Sequence, residues 1–317
     1  MIRYPLTWLS VKRIGNVFAL LYQYAKFVRG KRFEQIAYPY AASFEPANFC
    51  NLKCPQCPTG KWLIDKTPQK LLVENFKAYI DAMSPYLMYA NLYFQGEPFL
   101  NKHLSEMVAY ANRKKIFTCV STNGHFLTDD VVNGLKQAGI KRLIVCVDGA
   151  TQESYQQYRV GGNLQVVLAG IKRCVKAKLP IEVQCLLLQS TQNEQETLKH
   201  MMRNMGVKKV VFKKAQFYDD YLVPDNMDNT RYVRLQDGTL SVKRPLKNRC
   251  FRMWSSVVVD VNGNVLPCCY DKFGKHAYGN LNEQAFGTIW QGRKAAVFRD
   301  KVFTKRKEIG MCLNCTE

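Results

Sequence analysis

From about residue 41 to residue 216 the sequence alternates short apolar, β-rich runs with amphipathic segments of helical period, and few folds can absorb such a pattern. Six runs read as strands: Ser43–Asn48, Met88–Phe94, Phe117–Ser121, Leu143–Asp148, Ile181–Leu188 and Lys209–Ala215. Their Val, Ile, Leu, Phe and Tyr content suits a sheet covered on both faces. Helical spacing predicts helices near 69–83, 101–114, 128–138, 163–177 and 193–205. Thr128-Asp129-Asp130 has the form of a helix start, an N-cap threonine followed by first-turn acids. Repeated strand–helix units imply right-handed crossovers and a parallel sheet. The fold class is therefore α/β. Six units fit an open, partial (β/α)6 TIM-like barrel better than a closed eight-stranded one. In such folds chemistry gathers at the C-terminal ends of the strands.

The flanks read differently. Residues 217–249 lack clear periodicity, carry Pro224, Asp225, Asn226, Asp228 and Asn229, and read as a connector. Residues 250–317 form a smaller unit holding five of the 12 cysteines. Residues 1–40 carry a basic amphipathic helix, in which Ile14, Val17, Phe18, Leu21, Ala25 and Val28 share a face. Lys12, Arg13, Lys26, Arg29, Lys31 and Arg32 flank that stripe. The first reading is a leader helix that packs on the main domain. The second is peripheral contact of residues 1–32 with an anionic membrane surface. No apolar run reaches the length of a transmembrane helix. Gln23 and Lys26 interrupt the apolar stretch, and no small-residue cleavage site follows it, which argues against a signal peptide. The expected location is cytoplasmic, at most membrane-peripheral, where thiols stay reduced and free to bind metal.

Cysteine spacing says more. Cys50-Asn51-Leu52-Lys53-Cys54-Pro55-Gln56-Cys57 is a CxxxCxxC run just after the first strand. Three thiolates on one loop can hold three irons of a [4Fe–4S] cube and leave the fourth open to an external ligand. A structural zinc site is the alternative, and it needs a fourth ligand. Cys312 and Cys315 form a CxxC that can ligate one metal centre, and Asn262-Gly263 predicts a hairpin turn ahead of Cys268. Cys119, Cys146, Cys174 and Cys185 lie inside strands or helices and read as small core residues.

In residues 41–216 the order of motifs resembles the radical S-adenosylmethionine (SAM) superfamily. That resemblance implies a [4Fe–4S] cluster on Cys50, Cys54 and Cys57, chelated at its open iron by SAM. Gly96-Glu97-Pro98 is similar to the family's GEP motif, which meets the SAM amino group. Ser121-Thr122-Asn123-Gly124 and Val147-Asp148-Gly149 resemble segments lining the SAM ribose and carboxylate, and Tyr158-Arg159 with Gly161-Gly162 an arginine motif near that carboxylate. Two positions depart from the pattern. Gln95 stands where relatives often carry another glycine, and Gln56 where an aromatic often precedes the third cysteine.

The C-terminal unit resembles the SPASM/twitch extension of such enzymes. With five cysteines instead of seven, the resemblance implies one auxiliary [4Fe–4S] cluster on Cys250, Cys268, Cys312 and Cys315, with Cys268 preferred to Cys269. Cys250, Cys268, Cys312 and Cys315 also fit a zinc ribbon by spacing alone. The implied activity is reductive cleavage of SAM to a 5′-deoxyadenosyl radical that takes hydrogen from a substrate. The substrate would be a peptide or small molecule, the basic charge pointing to an anionic one, and an external donor such as flavodoxin or ferredoxin would supply electrons. The expected outcome is a net oxidation or other modification of that substrate, assisted by the auxiliary cluster. The rival class is a zinc-containing, basic nucleic-acid-binding protein using the +21 charge on phosphates. Its weakness is that the basic residues are scattered in pairs such as Lys114-Lys115 and Lys213-Lys214.

Overall fold

The structure, a computed structural model, describes residues 5, 8–61 and 67–316; residues 1–4, 6 and 7 of the N-terminal segment lie outside these. Helix α1 (Val11–Val28) precedes the first barrel strand, β1 (Ala41–Phe44). Then follow α2 (Val73–Met83), β2 (Tyr89–Asn91), α3 (Leu104–Arg113), β3 (Phe117–Thr122), α4 (Asp129–Ala138) and β4 (Arg142–Cys146). The core closes with α5 (Gln152–Tyr158), α6 (Leu164–Lys176), β5 (Ile181–Leu187), α7 (Gln195–Asn204) and β6 (Val210–Lys214). Strands β1 to β6 stand side by side in chain order, each parallel to the next. Among the described residues, edge strand β6 has no second partner in the sheet, so the barrel is open.

All six expected strands form, and five end earlier than expected, β1 and β2 by three or more residues, β4 by two, and β5 and β6 by one. β1 stops at Phe44 and β2 at Asn91, where the chain leaves the ladder to build the loops that carry the polar motifs. The Thr128 hydroxyl caps α4 by accepting from the Val131 amide at 3.4 Å. Helix α5 was not expected. Its start is a capping box, with Thr151 and Ser154 bonding each other's backbone.

The connector contains a hairpin, β7 (Tyr232–Arg234) with β8 (Leu240–Val242). After it come the short α8 (Arg252–Ser255), β9 (Ser256–Val259), β10 (Asn264–Leu266) and β11 (Gly279–Asn280). Helices α9 (Phe286–Gln291), α10 (Arg293–Lys305) and α11 (Gly310–Leu313) complete the order. Gly263 sits at φ +85 in the β9–β10 turn, which is the expected hairpin. Strand β9 pairs parallel with β1, placing Ala41 opposite Ser256, so one sheet of nine strands runs through both cysteine-bearing regions.

Helix α1 packs, but through a face other than the expected one. Its buried side chains are Arg13, Asn16, Leu20 and Phe27. Phe27 meets Trp254 and Phe303 edge-on at ring distances of 5.0 and 4.7 Å. Arg13 donates to the carbonyls of Ser84, Lys114 and Lys115 at 3.0, 2.8 and 2.7 Å. Ser84 and Lys114 are the C-caps of α2 and α3, so one guanidinium satisfies orphan carbonyls at the negative ends of two helices. Asn16 exchanges two hydrogen bonds with the Tyr38 backbone. Hydropathy alone points away from Arg13 and Asn16, which is why the pattern misassigned the face. Among the described residues no helix is long and apolar enough to cross a membrane. Replacing Arg13 with Leu should lower stability by about 2–4 kcal/mol, because it strands buried carbonyls; Val11→Ser on the outer face should change it by less than about 0.5 kcal/mol. Denaturant titration of the two variants checks both values.

Candidate active site

The polar motifs meet at the C-terminal ends of the parallel strands. Cys50, Cys54 and Cys57 line one cavity of about 180 Å³ together with Gly96, Glu97, Ser121, Asn123, Cys146 and Arg159. The loop that carries the cysteines is set by its neighbours. Gly96 has φ +63, and a Cβ there would lie 2.4 Å from the Ala47 carbonyl oxygen and 2.5 Å from that of Phe49. Only glycine admits both the conformation and the approach. The next amide, of Glu97, donates to the Phe49 carbonyl at 2.9 Å. Gly60 closes the other side, since a Cβ there would stand 2.6 Å from the Cys54 backbone.

Glu97 is buried and acts as a strut. Its Oε1 accepts from the Thr122 hydroxyl at 2.7 Å and the Phe99 amide at 3.2 Å, and its Oε2 from the Asn123 amide at 2.9 Å. Burial raises the pKa of its carboxyl, against the pull of the Asn123, Thr122 and Phe99 donors and of Arg159. Pro98 follows at the first position of a short 3-10 turn, where its missing N–H costs nothing. Asn123 continues the chain of contacts: its amide group donates to Asn51 Oδ1 at 2.8 Å and approaches the Cys50 sulfur at 3.8 Å.

Asp148, fully buried just past β4, accepts from Arg159 Nε and from the Leu186 amide, both at 2.6 Å. Arg159 Nη1 reaches the Cys54 sulfur at 3.6 Å. Burial works against the guanidinium charge, yet Asp148, Cys54 and Cys146 outweigh it and keep its pKa well above the usual value. The Arg159 loop is tied to the cysteine loop as well, by the Lys53 amide donating to the Val160 carbonyl at 3.0 Å.

Burial pushes the Cys54 thiol up to about 12, against the lowering effect of Arg159, and raises that of Cys50. A buried thiol is a poor free anion but a good ligand to a cation that displaces its proton. Three cysteine sulfurs lining one small cavity, cradled by two glycines that tolerate no side chain, fit an iron–sulfur cluster.

Several contributors were not foreseen. Cys146, read as a core residue, lines the cavity, with its sulfur 3.6 Å from the Ser121 hydroxyl. Strand β4 ends there, so the side chain falls at the mouth and not in the interior. Tyr93, Phe94 and Tyr158 also line the cavity, and β-propensity gave no reason to separate them from ordinary core. The two departures from the motif pattern have visible work. Gln56 accepts from the Tyr218 amide at 3.0 Å and donates to the Tyr221 carbonyl at 2.9 Å and to Asp219. Gln95 accepts from the Thr59 hydroxyl and donates to the Lys272 carbonyl, each at 3.2 Å. The cysteine loop is thus bolted to the connector by one glutamine and to the C-terminal unit by the other.

In the C-terminal unit Arg306, 1% exposed, donates to the carbonyls of Lys247 and Arg249 at 3.1 and 2.6 Å and to the Cys315 sulfur at 3.5 Å. Cys250 is raised by burial and feels Arg306 and Cys315. Cys268, also raised chiefly by burial, feels Cys269, Cys250 and Cys312. The neighbouring Cys269 sulfur accepts from Arg252 at 3.4 Å.

The family model of the radical SAM superfamily matches residues 44–203. The chain belongs to the radical SAM superfamily. A second model, SPASM, described as an iron–sulfur cluster-binding domain, matches residues 250–316. Radical SAM membership brings a [4Fe–4S] cluster and SAM as cofactors, and the SPASM match brings an auxiliary iron–sulfur cluster. The zinc-containing nucleic-acid binder is set aside on these matches. An AdoMet-dependent heme synthase of Methanosarcina barkeri is 28% identical over 308 residues, covering 82% of this chain and 84% of that protein. Among solved structures, BtrN in complex with AdoMet and 2-DOIA aligns over 88% of this chain and 93% of its own, with a TM-score of 0.55 and 22% identity. Streptococcus suis SuiB bound to S-adenosylmethionine aligns over 88% of this chain and 71% of its own, with a TM-score of 0.67 and 11% identity. At these identities the two structures show the fold: the partial TIM-like barrel with a C-terminal extension.

Gly96→Ala should displace the cysteine loop and block assembly of the radical SAM cluster while leaving the SPASM region intact. Iron per chain should fall from about eight to about four, the content of one cube. Iron analysis of anaerobically reconstituted protein checks this.

Proposed function

We propose that this chain is a radical SAM oxidoreductase that removes hydrogen from a small anionic molecule, with net oxidation. The observation that carries this reading is the single cavity in which three cysteines, the Glu97 strut and the Asp148–Arg159 pair converge. Cys50, Cys54 and Cys57 would hold the cluster; Gly96, Glu97, Pro98, Ser121, Asn123, Asp148 and Arg159 would bound SAM. When bound, a reduced cluster on these cysteines would supply the one-electron chemistry that cleaves SAM and enables hydrogen-atom removal from substrate, and an auxiliary cluster would serve as acceptor for a second electron as the substrate releases a proton to solvent.

The chain's own residues prepare that chemistry. Glu97 Oε2 accepts one internal bond and keeps a lone pair for the SAM ammonium, whose charge would favour the carboxylate form of this buried acid. Arg159, fixed by Asp148, offers its remaining donors to a carboxylate and meets the Cys54 sulfur from the same side. The glycine cradle and the two glutamine bolts hold the geometry without reorganisation. Cys250, Cys268, Cys312 and Cys315 would hold the auxiliary cluster, and Arg306 would offset the charge of its thiolates.

An anionic substrate fits the cations near the mouth. Lys213 and Lys214 end β6, the charge of Lys213 reaches buried Cys119, and Lys272 lies over the Phe94 ring at 5.0 Å. Near-full-length correspondence with the heme synthase and with BtrN supports a small molecule. A peptide is the second reading, in view of the shared fold with SuiB bound to precursor peptide SuiA, at a TM-score of 0.66. Electrons would come from an external donor such as flavodoxin or ferredoxin.

The test is anaerobic turnover with dithionite, scored by chromatography for 5′-deoxyadenosine. Cys54→Ala should abolish the product; continued formation would overturn the reading. Cys312→Ala should lower iron from about eight to about four per chain, keep SAM cleavage and stop substrate oxidation. Unchanged iron in that variant would remove the auxiliary cluster from the scheme.

A further inference from the structure

Helix α1 packs through one face of mixed polarity and leaves a second, apolar face outside the fold. The packed face runs through Arg13, Asn16, Leu20, Tyr24 and Phe27. Roughly a third of the way round the helix, at 100° per residue, lies the other. There Val11 is 89% exposed, Phe18 68%, Tyr22 55% and Leu21 46%, with Ile14 and Val28 exposed as well. These positions recur at spacings of three and four along the full 18 residues of the helix. A lone exposed apolar side chain is ordinary, but a stripe of six on one helix face marks a contact surface.

The charges around the stripe choose the occupant. From Trp8 to Phe33 there are six cations and no acid. Arg13 is buried in its carbonyl nest, and Arg32 is paired with Asp300 at 2.9 Å. Lys12 lies over the Tyr86 ring at 5.0 Å, which leaves Lys26, Arg29 and Lys31 towards the end of the stripe, Lys26 lying over the exposed Tyr22 ring at 5.7 Å. A second copy of the chain docked here would set cations against cations, since a two-fold contact joins like surfaces. An anionic bilayer answers both features, taking the apolar side chains below its headgroups and the cations at them.

We propose that α1 seats this protein on an anionic membrane surface, in the plane of the interface, through Val11, Ile14, Phe18, Leu21, Tyr22 and Val28. Anchoring and packing use different faces of α1, so the helix binds lipid without leaving its place in the fold. A substrate partitioned into or made at such a surface would then be met close to the membrane.

Cosedimentation of the full-length, cluster-loaded protein with vesicles tests this apart from any turnover. Vesicles of phosphatidylcholine mixed with phosphatidylglycerol should bind it at least about fivefold better than phosphatidylcholine alone, and added salt should weaken the binding. Phe18→Glu with Leu21→Glu should reduce binding about tenfold or more while leaving the circular dichroism spectrum and SAM cleavage unchanged. Lys26→Glu with Arg29→Glu and Lys31→Glu keeps the apolar stripe and should abolish the preference for anionic lipid. Failure of the parent protein to sediment with anionic vesicles would overturn the proposal. So would binding insensitive to the Phe18 and Leu21 changes, or a dimer in sedimentation velocity that those changes disperse.

Discussion

Everything at the mouth of the barrel depends on the approach of Gly96 to the backbone of residues 47–49. A side chain at that position would stand within 2.5 Å of two carbonyl oxygens, so the loop after β2 and the loop carrying Cys50, Cys54 and Cys57 touch backbone to backbone. From this contact the links run outward without a gap. Glu97 bonds Phe49 behind it and residues 122 and 123 ahead of it, and Asn123 returns to Asn51 beside Cys50. A third link passes from Cys54 through Arg159 and Asp148 to the Leu186 amide on β5. The ends of four strands are thereby locked to one loop by polar contacts that are buried or partly buried, where each is worth more than in water.

Much of this was legible in the residues. Strand and helix periods placed six parallel strands, and turn chemistry at Thr128 and at Asn262-Gly263 marked real caps and turns. These signals are local, so a single sequence carries them. What escaped was set by tertiary geometry. Whether Cys146 faces the core or the mouth depends on where β4 ends, and a shift of one residue reverses the side. Helix α1 was assigned the wrong face because its packed face is built on Arg13 and Asn16, which hydropathy counts as surface. Their polar groups are buried because Ser84, Lys114, Lys115 and Tyr38 supply partners far along the chain.

Gln56 and Gln95 make the same point from the opposite side. Each departs from the motif around it, and each spans a junction that a glycine or an aromatic could not bridge by hydrogen bonds. Gln56 holds the segment 218–221 against the cysteine loop, and Gln95 fastens Thr59 to the carbonyl of Lys272. A deviation from a family pattern can thus be read as a local solution to holding three regions together, once the contacts are known.

The parallel pairing of β1 with both β2 and β9 has a bearing on how the two cysteine clusters relate. Cys50 follows β1 and Cys268 follows β10, with β9 between those two strands and hydrogen-bonded to both. The registers of Ala41 opposite Ser256 and of Leu266 opposite Val258 therefore tie the starting points of the Cys50 and Cys268 segments to one set of strand hydrogen bonds.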